Sequence, residues 1–152
     1  MEFEVFRTSY WTVHHSSDVA VPGYLIVLSR DSVAQFTALS QPALGELGML
    51  LSRTTNAVEV AVHAERVYVC MFGESNAPPH FHVFPRMSWM LNLANDEAGE
   101  CSQPVDGAAV FSRVRQRFSD PSDLRNAEAQ IRQAIAVIRE TLMDSYGLAR
   151  AR

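Results

Sequence analysis

The segment Pro78-Pro79-His80-Phe81-His82-Val83-Phe84-Pro85-Arg86 constrains this chain more than any other. Prolines on both sides confine it to a short extended run, because proline neither donates to a ladder nor continues a helix. Side chains along a strand alternate between faces. His80 and His82 therefore share one face, about 7 Å apart by the strand rise. Phe81 and Val83 share the other, where a helix can cover them. One strand thus carries an apolar back and a front of two imidazoles. Each imidazole titrates near neutral pH and can serve as nucleophile, base or metal ligand.

The flanking sequence supplies partners for such a strand. Phe3 to Val13 is rich in aromatic and β-branched residues and predicts one or two strands, followed by a polar turn over His14 to Asp18. Pro22-Gly23 signals a turn that launches a buried strand, Tyr24 to Leu28. Asp31 is placed to cap a short helix carrying Val33, Phe36 and Leu39. Ser40 caps a longer one, with Pro42 in its first turn, Leu44, Leu47, Leu51 and Val58 at helical spacing, and an end near His63. Arg66 to Phe72 alternates as a strand, and His80 to Phe84 forms a second one stopped by Pro85. Asn95 to Asp106 reads as a polar loop, and Ala108 to Phe118 as a short helix bearing Arg113, Arg115 and Arg117. In the last helix Asp120 is the cap, Pro121 opens the first turn and Asp123 supplies its acid. Leu124, Ala127, Ile131, Ala134, Ile138 and Leu142 form its apolar stripe, and Gly147 ends it. No repeat or linker divides the chain, so residues 1–152 are expected to form one domain.

Composition removes several function classes. The net charge is −4 with acids and bases interspersed, which argues against general nucleic-acid binding by phosphate neutralisation. All 13 basic residues are arginine, so neither a P-loop lysine nor a Schiff-base lysine exists. Cys70 and Cys101 form no CxxC or zinc pattern, and Cys70 lies in an apolar run as an expected buried thiol. No stretch approaches a membrane span, and the first ten residues lack a secretory apolar core. A cytoplasmic, soluble protein is expected.

The ending His82-Val83-Phe84-Pro85-Arg86 resembles the histidine-triad superfamily, whose His-x-His-x-His motif is followed by two apolar residues and often Pro-Arg. In that register His82 is the third histidine, His80 the middle one, and Pro78 stands at the first. A shifted register would make His80 first, His82 middle and Phe84 third. Pro22-Gly23-Tyr24-Leu25-Ile26-Val27-Leu28 resembles the family's Pro-Gly-His-x-Leu-Val-Ile strand. Asp31-Ser32-Val33 with Phe36 and Leu39 is similar to its next helix. The resemblance covers roughly Phe3 to Arg86 and leaves a helical extension, residues 107–147, unaccounted for.

The resemblance implies an α+β fold, an antiparallel sheet flanked by helices, with an extra C-terminal helix. It implies a hydrolase or transferase acting on a nucleotide phosphoanhydride or phosphoramidate, with no cofactor and no metal. His80 would be the nucleophile that becomes nucleotidylated, and His82 would contact the phosphate. Gly73, Ser75 and Asn76 would hold phosphate oxygens. Pro78 and the lack of a clear ribose-binding acid near Val13 to Ser16 leave a nucleotide-binding module or a dimeric scaffold as alternatives. A zinc site would need Glu74 or His63 as a third ligand, and a chance surface pair is the plainest reading of the two histidines. His14 and His15 read as a solvated turn, and the arginines of 113–117 as a solvated face, with phosphate binding by that run as the lesser alternative. Met87 to Leu91 is apolar enough for a homodimer contact.

Overall fold

The computed structural model describes residues 3–74, 77–94 and 104–148. Five strands form one antiparallel sheet: β1 (Glu4–Arg7), β2 (Trp11–His15), β3 (Leu25–Ser29), β4 (Arg66–Cys70) and β5 (His80–Arg86), in the order β1-β2-β3-β5-β4. The long helix α1 (Gln41–Val62) and α5 (Glu128–Ser145) cover one face. Helices α2 (Met90–Ala94) and α3 (Gly107–Arg117) cover part of the other, and α4 (Pro121–Asn126) leads into α5. This is the expected α+β arrangement, including the added C-terminal helix.

Strand alternation assigns the two cores. Trp11, Val13, Leu25, Val27 and Val83 point towards α1 and α5, where they meet Leu47, Leu50, Val58, Ile131 and Ile138. Tyr24 and Phe84 point the other way and pack with Phe111, Val110, Val114 and Met90. Trp11 is fully buried, and its indole N–H donates to the carbonyl of Ala43 at 3.0 Å, tying β2 to the start of α1. The expected caps of α1 are present. The Ser40 side chain accepts from the Ala43 N–H, and His63 closes the helix in the left-handed conformation.

Several local expectations are corrected. Asp31 caps no helix: its carboxylate accepts from the Ser40 N–H, and only a single 3-10 turn forms, at Phe36–Ala38. β5 runs through Pro85 rather than stopping at it. The last β5 residue paired with β3 is Val83, so at Pro85 the strand has only β4 beside it, and a missing N–H is tolerated there. The final helix is interrupted at Ala127 (φ −90°, ψ 0°) into α4 and α5. Met90 is buried in the second core, while Trp89 stays half exposed beside Phe118. Cys70 is only half-buried, and Cys101 and most of the 95–106 loop lie outside the described residues.

The Pro-Gly turn fixes where β3 starts. Gly23 has φ +82°, and a Cβ there would sit 3.0 Å from Val62 Cγ1 at the end of α1. Gly23→Ala is therefore expected to destabilise the protein by about 1–3 kcal/mol through backbone strain and the displaced valine. Urea unfolding reads this directly, and an unchanged midpoint would contradict the assigned turn.

Candidate active site

Alternation in β5 places His80 and His82 on the face opposite α1, with ring centroids 5.2 Å apart. The register sets Ile26 beside His82 on one flank and Cys70 on the other. Phe81, behind them, packs edge-on against Trp11. The two imidazoles open into a cleft of about 240 Å³ also lined by His14, Ser16, Ser17, Asp18, Tyr24, Ile26 and Arg115. His80 in addition borders a second cavity, of about 310 Å³, lined by Phe36, Met71, Gly73, Pro78 and Pro79 among others.

The two histidines have different surroundings. His80 is partly exposed, and its Nδ1 lies 3.1 Å from the carbonyl oxygen of Pro78. A carbonyl only accepts, so in the neutral ring Nδ1 carries the proton and Nε2 the lone pair. His82 is buried between Tyr24, Phe72 and Phe111, with Tyr24 Oη 2.7 Å from its Nδ1. Burial, then the neighbouring His80, then the charge of Arg115 push the His82 pKa down to about 4. Burial raises the Tyr24 pKa, so its hydroxyl stays protonated. At neutral pH, His82 and Tyr24 therefore face each other uncharged.

The β2–β3 connection was predicted as a solvated turn, yet it carries a buried pillar. His15 is fully buried; its Nε2 accepts from the Gly23 N–H at 3.1 Å and its Nδ1 donates to the Ser16 carbonyl at 2.8 Å. This clamp brings Ser16, Ser17 and Asp18 to the cleft. His14, one residue earlier, is half-buried on the cleft side, and burial lowers its pKa. Burial lowers the His15 pKa as well.

These shifts predict how stability depends on pH. A histidine kept neutral in the fold has a folded pKa below its unfolded value near 6.5. The unfolded chain then binds the proton first, so stability is complete above pH 6.5 and falls as the pH drops towards 4. His82 alone is expected to contribute a loss of about 2 kcal/mol across that window after allowance for solvent screening. Urea midpoints at pH 7 and pH 4.5 measure it, with His82→Gln showing a smaller drop. A flat profile would contradict the buried neutral pair.

Other predicted site residues fall as follows. Gly73 lines the second cavity, with φ +70°, and does not line the cleft with His82. Ser75 and Asn76 lie outside the described residues. Arg86 is paired with Glu65 and is not among the described residues that line the cleft. Glu74 and His63 do not join the histidines: among the described residues no group of three or more His, Cys, Asp or Glu side chains is placed to hold a metal.

Tyr24 and Asp18 also line the cleft without having been expected there, and Arg115 does so alone of the three arginines in which phosphate binding was the lesser reading. Tyr24 had a signal, since it stands at the histidine of the Pro-Gly-His pattern. Arg115 was hidden by its neighbours. Residues two apart on a helix point in roughly opposite directions, so the arginine run does not share a face. Arg113 donates to the Leu93 carbonyl, Arg117 reaches Asp123, and Arg115 enters the cleft.

No protein-family model and no curated protein matches this sequence. Solved structures do. A hypothetical histidine triad nucleotide-binding protein of Sulfolobus tokodaii superposes on 95% of this chain and 85% of its own, with TM-score 0.63 and 12% identity. A zinc-bound histidine triad family protein of Mycobacterium smegmatis covers 97% of this chain and 88% of its own, with TM-score 0.59 and 11% identity. A Hit-like protein of Bartonella henselae involved in cell-cycle regulation covers 88% and 87%, with TM-score 0.54 and 16% identity. The chain therefore has the histidine-triad fold. Overlap of 97% reaches well past Arg86, so the C-terminal helices share in the likeness that the sequence showed only up to that residue.

Proposed function

We propose that this protein is a nucleotide hydrolase or transferase that cleaves a phosphoanhydride or phosphoramidate through a covalent intermediate on His80. The observation that carries this reading is the bond from His80 Nδ1 to the Pro78 carbonyl. It fixes the tautomer and leaves Nε2 free as a nucleophile. The contact uses the backbone of residue 78, so the proline that stands at the first triad position does not remove it.

In the first step the Nε2 lone pair forms an N–P bond to the α-phosphorus, and the bond from phosphorus to the leaving group breaks. The leaving group keeps the electron pair; an amine also takes a proton from solvent, while a phosphate needs none. Water or another acceptor hydroxyl then attacks phosphorus, loses its proton to solvent, and the N–P pair returns to Nε2. His82 supports both steps. With Tyr24 donating to its Nδ1, the neutral ring presents Nε2–H to a phosphate oxygen and stabilises the charge that develops there. Gly73, on the other side of His80, is the described residue of the proposed phosphate loop, and its N–H is a further candidate donor. Asp18, with Ser16 and Ser17, is the group best placed to hold a sugar hydroxyl. One of the solved structures the chain resembles, from Sulfolobus tokodaii, carries the name of a nucleotide-binding protein, which supports this reading.

A second copy is the proposed partner. β4 is an edge strand with exposed Val69, and exposed Met71 and Phe72 follow it. Sedimentation equilibrium is expected to give a dimer.

The test is release of nucleoside monophosphate from an adenosine or guanosine phosphoramidate and from a dinucleoside polyphosphate. Turnover with either supports the enzyme. Tight nucleotide binding by calorimetry with no turnover transfers the assignment to a binding module, and neither turnover nor binding overturns the nucleotide reading.

A further inference from the structure

Arg115 is out of keeping with its surroundings. It is a permanent cation in a cleft where burial holds His82 neutral. Its Nε is fully buried and has no hydrogen-bond partner among the described residues. None of the four ion pairs among those residues includes it. Its guanidinium carbon lies 5.3 Å from the ring centroid of Phe111, which itself packs on His82 at 5.6 Å. The guanidinium is therefore held beside the reacting groups by an aromatic contact rather than by a carboxylate. Asp18 is the only acid among the described residues lining the cleft; it is exposed and accepts from the Ser17 hydroxyl.

A buried donor on a cation without an acceptor is costly, and the cost is relieved when an anion enters. Guanidinium geometry suits the paired oxygens of a phosphate. His80 and His82 already face the phosphorus under attack, so an additional fixed charge matches additional negative charge on the substrate. A phosphoramidate with an amine leaving group carries only the attacked phosphate. A phosphoanhydride carries at least one more.

We propose that Arg115 binds the phosphate adjacent to the one attacked by His80, and so makes this site selective for phosphoanhydrides over phosphoramidates. The proposal rests on the reading of His80 as nucleophile. Its binding part can be tested without turnover.

Pyrophosphate and orthophosphate serve as probes, titrated by calorimetry against wild type, His80→Ala, Arg115→Gln, Arg115→Lys and Arg115→Met. Arg115→Met keeps an unbranched stem against Phe111 and guards against a folding defect in the glutamine variant. Wild type and His80→Ala are expected to bind pyrophosphate about tenfold or more tighter than orthophosphate, the scale of a charge-assisted contact. Arg115→Gln and Arg115→Met lose that preference, and Arg115→Lys retains part of it. In turnover assays, Arg115→Gln lowers kcat/KM about tenfold or more for a dinucleoside polyphosphate and leaves the phosphoramidate nearly unchanged. Preference for pyrophosphate that survives in Arg115→Gln and Arg115→Met overturns the proposal, as does an equal fall for both substrates. If no nucleotide is turned over while pyrophosphate selectivity still depends on Arg115, the catalytic reading of His80 fails and the anion site stands.

Discussion

Replacing His80 with alanine is expected to lower nucleotide turnover by on the order of 10³-fold or more, the scale seen when a covalent nucleophile is removed. The fold should survive. His80 is partly exposed, its ring contacts His82 rather than either core, and its one side-chain bond is to a neighbouring backbone carbonyl. Full activity in His80→Ala would remove it from the mechanism. Equal melting curves for the two proteins keep the measurement free of a stability artefact.

Trp11→Ala is expected to have the largest effect on stability, about 3–5 kcal/mol. Trp11 is fully buried on the α1 side of the sheet, and the cavity left behind would open between β2, α1 and Phe81. The substitution also leaves the buried carbonyl of Ala43 without its indole donor. Trp11→Phe separates the two contributions. It preserves much of the packing and is expected to lose only about 1–2 kcal/mol. Urea unfolding of both variants measures the difference, and an alanine variant within 1 kcal/mol of wild type would contradict the assigned core. Phe81 stands between His80 and His82 on β5 and packs on Trp11 from the opposite face, so the same variant should also loosen the cleft.

The parts of this structure that sequence made legible share a cause. Ser40, Pro42 and His63 bound α1 through backbone chemistry that is local to each end. The alternation of His80 to Phe84 assigns both faces of β5 because strand periodicity needs no tertiary information. The parts that were hidden depend on what packs opposite. Nothing local says that His15 will find the Gly23 N–H across a loop and become a buried clamp, since a histidine pair beside two serines has the composition of a surface turn. Asp31 has the chemistry of a helix cap, but its acceptor is used nine residues along, by Ser40. Helix periodicity does separate Arg115 from Arg113 and Arg117, yet only the position of α3 over the sheet decides which of the three meets the histidines. The interruption at Ala127 has no glycine or proline to mark it. The N–H of Ala127 still bonds to Asp123 and its carbonyl to Ile131, so the apolar stripe passes through almost undisturbed.

The central claim is that His80 is the residue that carries the nucleotide. Incubating the protein with a nucleotide labelled at the α-phosphate, quenching in alkali and mapping the labelled peptide by mass spectrometry tests it most directly. The account predicts a nucleotidyl group located by fragmentation on His80 itself rather than on His82, stable to base, released by mild acid and absent from His80→Ala. Turnover with no labelled protein at any time, or label on His82 instead, would contradict it.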